Sequence, residues 1–314
     1  MSSVRTLLPT DLPALLTHPG LSSENEAFPR ERLGAGETQA TLRVVSDQLR
    51  AFARQRSAWV SLRRQRLQGL VGARQRGGGG AWEIDYLLDA TTGRRVAADL
   101  LENAVAQAGK DGALKIFLRL PSSSDLLQPA IESGFIAYQE ETLYRRSAPL
   151  AQDAAPDGLR SVAAADSYPL FRLYCAATPE PTRRVEAATF EEWHAAQERH
   201  WHRNGIDLVV EADTRLHARV QACRLPQGLM LDLMLDADAA TDVASLVGAA
   251  VAAAGAPDEP VLVLLPQAAE GIARRLLDAG FETHGDYVSL VKRTTKPLAL
   301  PRKVPIVAKN AIGV

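Results

Sequence analysis

WEIDYLLDATTGRRVAADLLENAVAQAG, residues 82–109, holds the reading that decides the fold. Its opening, WEIDYLL, gathers Trp, Ile, Tyr and Leu, side chains that favour extended chain. The next residues, DATTGRR, are too polar and too turn-prone to continue a strand. From Val96 onward Ala and Leu recur at spacings of three and four, which predicts a helix closed by Gly109. The strand returns later as LMLDLMLDA (229–237), and two further blocks return with it. KIFLRLP (115–121) matches VLVLLP (261–266), and ESGFIAYQEETLYRR (132–146) matches DAGFETHGDYVSLVKR (278–293). Asp85 and Asp232 are 147 residues apart, Pro121 and Pro266 145, Gly134 and Gly280 146. Register kept across three separated blocks marks a duplicated α/β domain. The copies are expected at 1–147 and 158–294, with a linker at 148–157 and an extended tail at 295–314.

Working outward, the first copy begins with a short alternating strand, VRTLL (4–8). TDLPALLTH follows, in which Thr10 or Asp11 can cap a helix and Pro13 suits its first turn. The second copy opens alike: GLRSVAAADSYPLFRLY (158–174) sets Asp166 before a helix carrying Pro169. Leu42, Val45, Leu49 and Phe52 predict a helix over 37–56 with one buried face. SAWVSLRRQRLQGLVGARQRGGGGAWEIDYLL reads as three strands turned at Arg64–Arg66 and at a mobile glycine tip, 77–80. Beyond the 82–109 unit come the strand KIFLRL, a helix over 124–132 stopped at Gly134, and a last strand pair around FIAYQEETLYRR. An antiparallel meander followed by alternating helices and strands defines an α/β fold, a mixed antiparallel and parallel sheet covered by helices in each copy.

Composition narrows the function classes. The 314 residues suffice for two domains with cores of their own. Net charge is −1, and residues 1–150 carry 19 Lys and Arg against 16 Asp and Glu, so neither half has the charge of a nucleic-acid partner. Arg43, Arg50, Arg54, Arg56, Arg63, Arg64, Arg66, Arg74 and Arg76 form one dense basic group. They read as solvated faces of a helix and a hairpin, or as a site for an anionic ligand. No apolar run approaches the roughly 20 residues of a membrane span. The start, MSSVRTLLPTD, lacks the basic-then-apolar plan of a signal peptide. A cytoplasmic protein without membrane or nucleic-acid partners is expected. Cys175 and Cys223 have no CxxC spacing and read as buried, inert thiols.

A strand ending in two leucines, a polar loop, an Ala/Leu-rich helix, an apolar strand, a helix and a Gly-Phe pair together resemble the GNAT acyltransferase superfamily. The Gly-Phe pairs are Gly134-Phe135 and Gly280-Phe281, and the resemblance spans most of both copies. It implies a tandem acyltransferase layout in which one half does the chemistry and the other serves as scaffold, with acetyl-CoA as cofactor and no metal. The family's Gln/Arg-x-x-Gly-x-Gly/Ala loop falls on Thr92, Gly93, Arg94, Arg95, Val96 and Ala97, after Leu87 and Leu88 of the strand. Free amides at a helix N-terminus would hold the pyrophosphate there. Thr92 replaces the leading Gln or Arg, and Arg95 stands where the first glycine is expected. The second copy's loop, DADAATDVASLV (236–247), has aspartates and neither glycine nor cation, so a phosphate would be repelled.

The resemblance further implies an acidic base on the fourth strand, since an amine must lose a proton to attack a thioester. Glu83 and Asp85, two apart and therefore on one face, are the candidates. Asp85 repeats as Asp232, whereas Glu83 aligns with Met230. The family's usual acidic tyrosine is missing, its positions being Ala130 and Leu276. Two readings result: an acetyl-CoA-dependent N-acyltransferase acting on a small-molecule or peptide amine through the first copy, or an inactive scaffold that binds or assembles. FEEWHAAQERHWHRNG (190–205) puts His194, Glu198 and His202 on one helical face. It reads as an amphipathic helix packed by Trp193 and Trp201, as a wall of the acceptor site, or as a metal site. The tail, with its three prolines, reads as a strap over one domain or as an edge strand for a second copy, giving a homo-oligomer.

Overall fold

The computed structural model describes residues 4–16, 25–35, 56–64, 66–77, 80–147, 154–197, 205–236 and 242–294. Of the helix expected over 37–56, residues 37–55 lie outside them and Arg56 opens a strand; Gly78 and Gly79, Glu198, Trp201, His202 and the tail also lie outside. Twelve strands form one sheet. Those of the first half are β1 (Val4–Thr6), β2 (Arg56–Arg63), β3 (Arg66–Arg76), β4 (Ala81–Asp89), β5 (Lys115–Pro121) and β6 (Ile136–Arg146). The second half adds β7 (Leu159–Ser161), β8 (Ile206–Ala212), β9 (Arg215–Leu225), β10 (Gly228–Leu235), β11 (Val261–Pro266) and β12 (Glu282–Arg293). The helices are α1 (Leu12–Leu16), α2 (Ala97–Lys110), α3 (Leu127–Glu132), α4 (Ser167–Ala177), α5 (Glu180–Glu186), α6 (Phe190–Ala196), α7 (Val243–Ala254) and α8 (Glu270–Asp278).

The sheet order is β1-β2-β3-β4-β5-β12-β6-β11-β10-β9-β8-β7. Within each half the meander is antiparallel, and β4 pairs parallel to β5 as β10 does to β11. The centre departs from the expectation of a strand pair ending each copy. IAYQEETLYRR has no turn residue and runs as one strand, β6. That strand pairs not with β5 of its own half but with β11, while β12 of the second half takes the place beside β5. β6 and β12 then pair antiparallel, from Glu282 opposite Arg145 to Val291 opposite Ile136. Each half therefore lends its last strand to the other.

Two cores lie on one face. Trp59, Val71, Trp82, Ile84, Leu87, Leu118 and Leu120 pack under α2 through Leu100, Leu101, Ala104 and Ala108. Val220, Leu229, Leu231, Val261, Val263 and Leu265 pack under α7 through Leu246, Val247 and Ala250. The periodicity read in 82–109 thus marks the buried stripe of α2, although the helix runs through Gly109 to Lys110 and the left-handed turn comes at Gly112. The opposite face carries α1, residues 25–35 and α4–α6. The openings of the two copies are closed by one device: Arg5 holds Asp11 at 2.6 Å and Arg160 holds Asp166 at 2.7 Å. In each, the same carboxylate accepts a backbone N–H, from Leu8 and from Ala163.

Candidate functional site

β4 and β5 stay together for only three residue pairs, Ala81–Glu83 against Lys115–Phe117. The register of β4 against β3 slips at Asp85, between the pairs Ala73–Ile84 and Gly72–Tyr86. Such a bulge bends and twists its strand. Beyond it, Asn25–Phe28 lies between the two strands. Glu26 N donates to Leu87 O at 2.9 Å, and Phe28 N donates to Arg119 O at 3.0 Å. The Asn25 side chain accepts from Leu87 N and Ala27 N and donates to Asp85 O. Asn25 and Ala27 are buried, so the fit is tight as well as hydrogen-bonded. β10 and β11 likewise pair over three positions, but β10 carries no bulge against β9. There Asp232, Leu233 and Met234 stay half-buried, and Arg30 reaches Asp232 at 2.6 Å.

The loop expected to cradle phosphate is closed by a carboxylate of its own chain. Asp89, 1% exposed, accepts from Val96 N at 2.9 Å and Ala97 N at 2.8 Å through Oδ2. Its Oδ1 accepts from Thr91 N and Oγ1. Arg95 N donates to Thr91 Oγ1, and Arg94 donates to Asp89 O and pairs with Glu26 at 2.7 Å. Gly93 and Arg94 both have positive φ, 78° and 53°, which folds the loop back on the helix. In the second copy Asp242 caps α7 from the N-cap position itself, accepting from Ala244 N and Ser245 N. The Ser245 hydroxyl helps hold that carboxyl below its ordinary range. A carboxylate on a helix N-terminus supplies the negative charge that a phosphate would. As placed, therefore, the Val96, Ala97, Ala244 and Ser245 amides are already taken and do not fit a phosphate.

Leu87 and Leu88 are fully buried, one under α2 and the other against Val60, Leu70 and Leu15 on the far face. Glu83 and Asp85 share the face opposite α2, but neither stands in open solvent. Glu83 is held by Arg74 through Nη2 at 2.7 Å and Nε at 3.2 Å, and Arg74 also pairs with Glu31 at 2.7 Å. Burial works to raise the Glu83 pKa, yet Arg76 and Arg74 outweigh it and hold the carboxyl at about 2. A base that weak takes a proton poorly at neutral pH. Asp85 sits on the bulge, its Oδ1 3.1 Å from where a Cβ at Gly72 would lie. Arg32 donates to Asn25 O and Ala27 O, and Asp85 lies within its field.

Between the copies the same face carries a buried pair that no local pattern announces. Arg119 of β5 donates to Glu141 of β6 at 2.7 Å, Ser289 of β12 donates to the same carboxylate at 2.6 Å, and Gln139 at 3.1 Å. Ala130 and Leu276 fill the cores, and Tyr138 donates to Glu186 while packing edge-on against Phe117. His194 stacks on Phe190, and among the described residues no cluster of three or more His, Cys, Asp or Glu could hold a metal. Both cysteines are free, and burial pushes the Cys223 thiol up. No described helix is long and apolar enough to cross a membrane.

Two copies of one parting sheet, each with a capped helix after its fourth strand, make this a chain of the tandem GNAT fold. Among solved structures it is similar to a GCN5-related N-acetyltransferase from Sphaerobacter thermophilus, at TM-score 0.59 and 14% identity over 93% of this chain and 95% of that one. A tandem GNAT protein from the clavulanic acid biosynthesis pathway matches at 0.55 and 14%, over 93% and 98%. The N-myristoyltransferase of Saccharomyces cerevisiae matches at 0.51 and 13%, over 93% and 80%. No family model and no curated protein matches the sequence.

Proposed function

We propose that this chain is a tandem acyltransferase-fold protein that has given up coenzyme A chemistry and works as a binding module. One observation carries the reading: the Val96 and Ala97 amides are already satisfied by Asp89. Three others support it. Asn25–Phe28 takes up the backbone groups of β4 and β5 where the strands part. Glu83 is spent on Arg74. Asp242 closes the corresponding helix of the second copy.

The competing reading, an acetyl-CoA-dependent N-acyltransferase using Thr92–Ala97 and Glu83 or Asp85, draws on the outer side of the loop. Nothing lies within 4 Å of a Cβ at Gly93, and Arg95 is exposed beside it. That reading requires Asp89 to leave the amides. Titration with acetyl-CoA separates the two, because ligand at a hundred times its Kd adds about 2.7 kcal/mol of stability. We expect no rise in Tm at millimolar acetyl-CoA for the natural chain. A rise, abolished by Arg95→Glu, would overturn this reading and put acetyl-CoA at the loop.

A further inference from the structure

Of the nine arginines that form one dense group in the sequence, three share the turn between β2 and β3. Arg63 and Arg66 stand opposite each other as the last pair of that hairpin, and Arg64, next in the chain, has φ 51°. Both choices work against the turn's own stability. Like charges directly opposite on paired strands repel, and a two-residue hairpin turn with positive φ favours Asn or Gly there. All three side chains are exposed, and among the described residues they make no hydrogen bond or ion pair. Arg74 and Arg76 of the same sequence group are spent elsewhere, on Glu31 and Glu83 and over the Phe117 ring. Arg95, exposed as well, stands on the loop that abuts β3, where Ala90 N donates to Gln68 O at 2.8 Å. The tip at the other end of β3 is unlike this one: the glycine turn expected to be mobile is held at Gly77, where a Cβ would lie 2.0 Å from Ala195 O. The second copy's turn between β8 and β9 sets Ala212 opposite Arg215 and has Asp213 at positive φ. The basic turn therefore belongs to the first copy alone.

We infer that this turn docks an acidic segment of a partner protein, whose Asp and Glu carboxylates accept from Arg63, Arg64 and Arg66. A local rule broken with no gain to the fold points to a use outside it. The planar guanidinium fork matches the two oxygens of a carboxylate, and arginine clusters recognise acidic motifs in that way. Other anions fit the turn less well. An exposed turn gives no enclosure for a small anion, and it carries no aromatic side chain among its described residues on which a nucleic-acid base could stack. The flanking leucines, Leu62 and Leu67, pack with Val60 and Leu70 and are not free to enter a lipid surface. Docking here gives the binding-module reading a partner and uses none of the amides at α2. Its outcome is therefore separate from that of the acetyl-CoA titration.

The test is fluorescence anisotropy of labelled hexaglutamate with the full chain at physiological ionic strength, beside labelled hexaglutamine and vesicles of equal parts phosphatidylcholine and phosphatidylserine. Hexaglutamate is expected to bind, and hexaglutamine and the vesicles are not. The triple variant Arg63→Gln, Arg64→Gly, Arg66→Gln should weaken hexaglutamate binding about tenfold or more. It should also melt at a higher temperature than the natural chain, because the repulsion and the unfavourable φ are gone. A second triple variant, Arg172→Gln, Arg274→Gln, Arg293→Gln, removes the same charge from exposed positions elsewhere. It is expected to keep the affinity within about twofold, which separates a built site from the field of the whole protein. The inference is wrong if hexaglutamate does not bind, if the vesicles bind in its place, or if both triple variants lose affinity equally. A turn variant no more stable than the natural chain would also overturn it, since the arginines would then be serving the fold.

Discussion

Replacing Asp89 by Ala removes the acceptor for the first amides of α2 and for Thr91. The expected cost is about 1–3 kcal/mol, the range for leaving buried donors without a partner. Urea unfolding measures it, and the same variant should bind pyrophosphate better than the natural chain does, since its amides are vacated. Glu83 gives a pH prediction. Its folded pKa is about 2 against an ordinary 4.5, so its contribution is present above the ordinary value and is lost as pH falls through the folded one. Stability should therefore decline between about pH 4.5 and 2, and Glu83→Gln should flatten that part of the profile. A slope unchanged by the substitution would place the titration elsewhere. Glu83 and Asp85 were readable because strand alternation assigns faces without any tertiary knowledge. Asp89 lies inside the same stretch, 82–109, and reads as the start of a loop. A cap acting on amides seven and eight residues away has no spacing signature, unlike the N-cap form that Asp242 takes.

At the scale of elements, the segment Asn25–Phe28 behaves as a short strand bridging two others. Asn25→Ala leaves Leu87 N, Ala27 N and Asp85 O without their partner. A loss of about 2–4 kcal/mol is expected from unsatisfied buried groups. Hydrogen exchange should locate it: protection falls at Leu87 and Phe28 while α2 is little changed. If Leu87 exchanges no faster in the variant, the bridging role is refuted. Nothing local in NEAF announces this, because Asn25 meets Leu87 across 62 residues of chain. Arg119 was hidden for a related reason. KIFLRL reads as an apolar strand with one stray charge, and its partner Glu141 stands on a strand that pairing rules assign to another place. Elements with their own periodicity, such as α2 and β3–β4, were legible to within a residue or two. Where those elements are brought together was not.

For the whole molecule, strand exchange makes the halves interdependent. A fragment ending before residue 158 would present β5 and β6 without β12 and β11, two strands with open edges in the middle of what should be a sheet. Each half expressed alone is expected to aggregate or remain unfolded, and co-expression of the two should restore a soluble complex with the thermal transition of the intact chain. Two separately folded, monodisperse halves would contradict this. The repeat itself was plain in the sequence, since Asp85, Pro121 and Gly134 recur in register. Which strand completes which copy was not, because β6 and β12 carry similar alternation and either order satisfies it.

The position of β12 also sets a timetable. It follows the other eleven strands of the sheet in sequence, yet it lies sixth from one edge, between β5 and β6. During synthesis β1–β5 emerge long before the strand that seals them, and β6 must wait without its inner neighbour. Pairings so far apart in sequence form slowly and leave sticky edges exposed meanwhile. A ribosome that stalls before Glu282 would thus release not a shortened protein but an unsealed one. The newborn chain is at its most vulnerable until β12 has emerged.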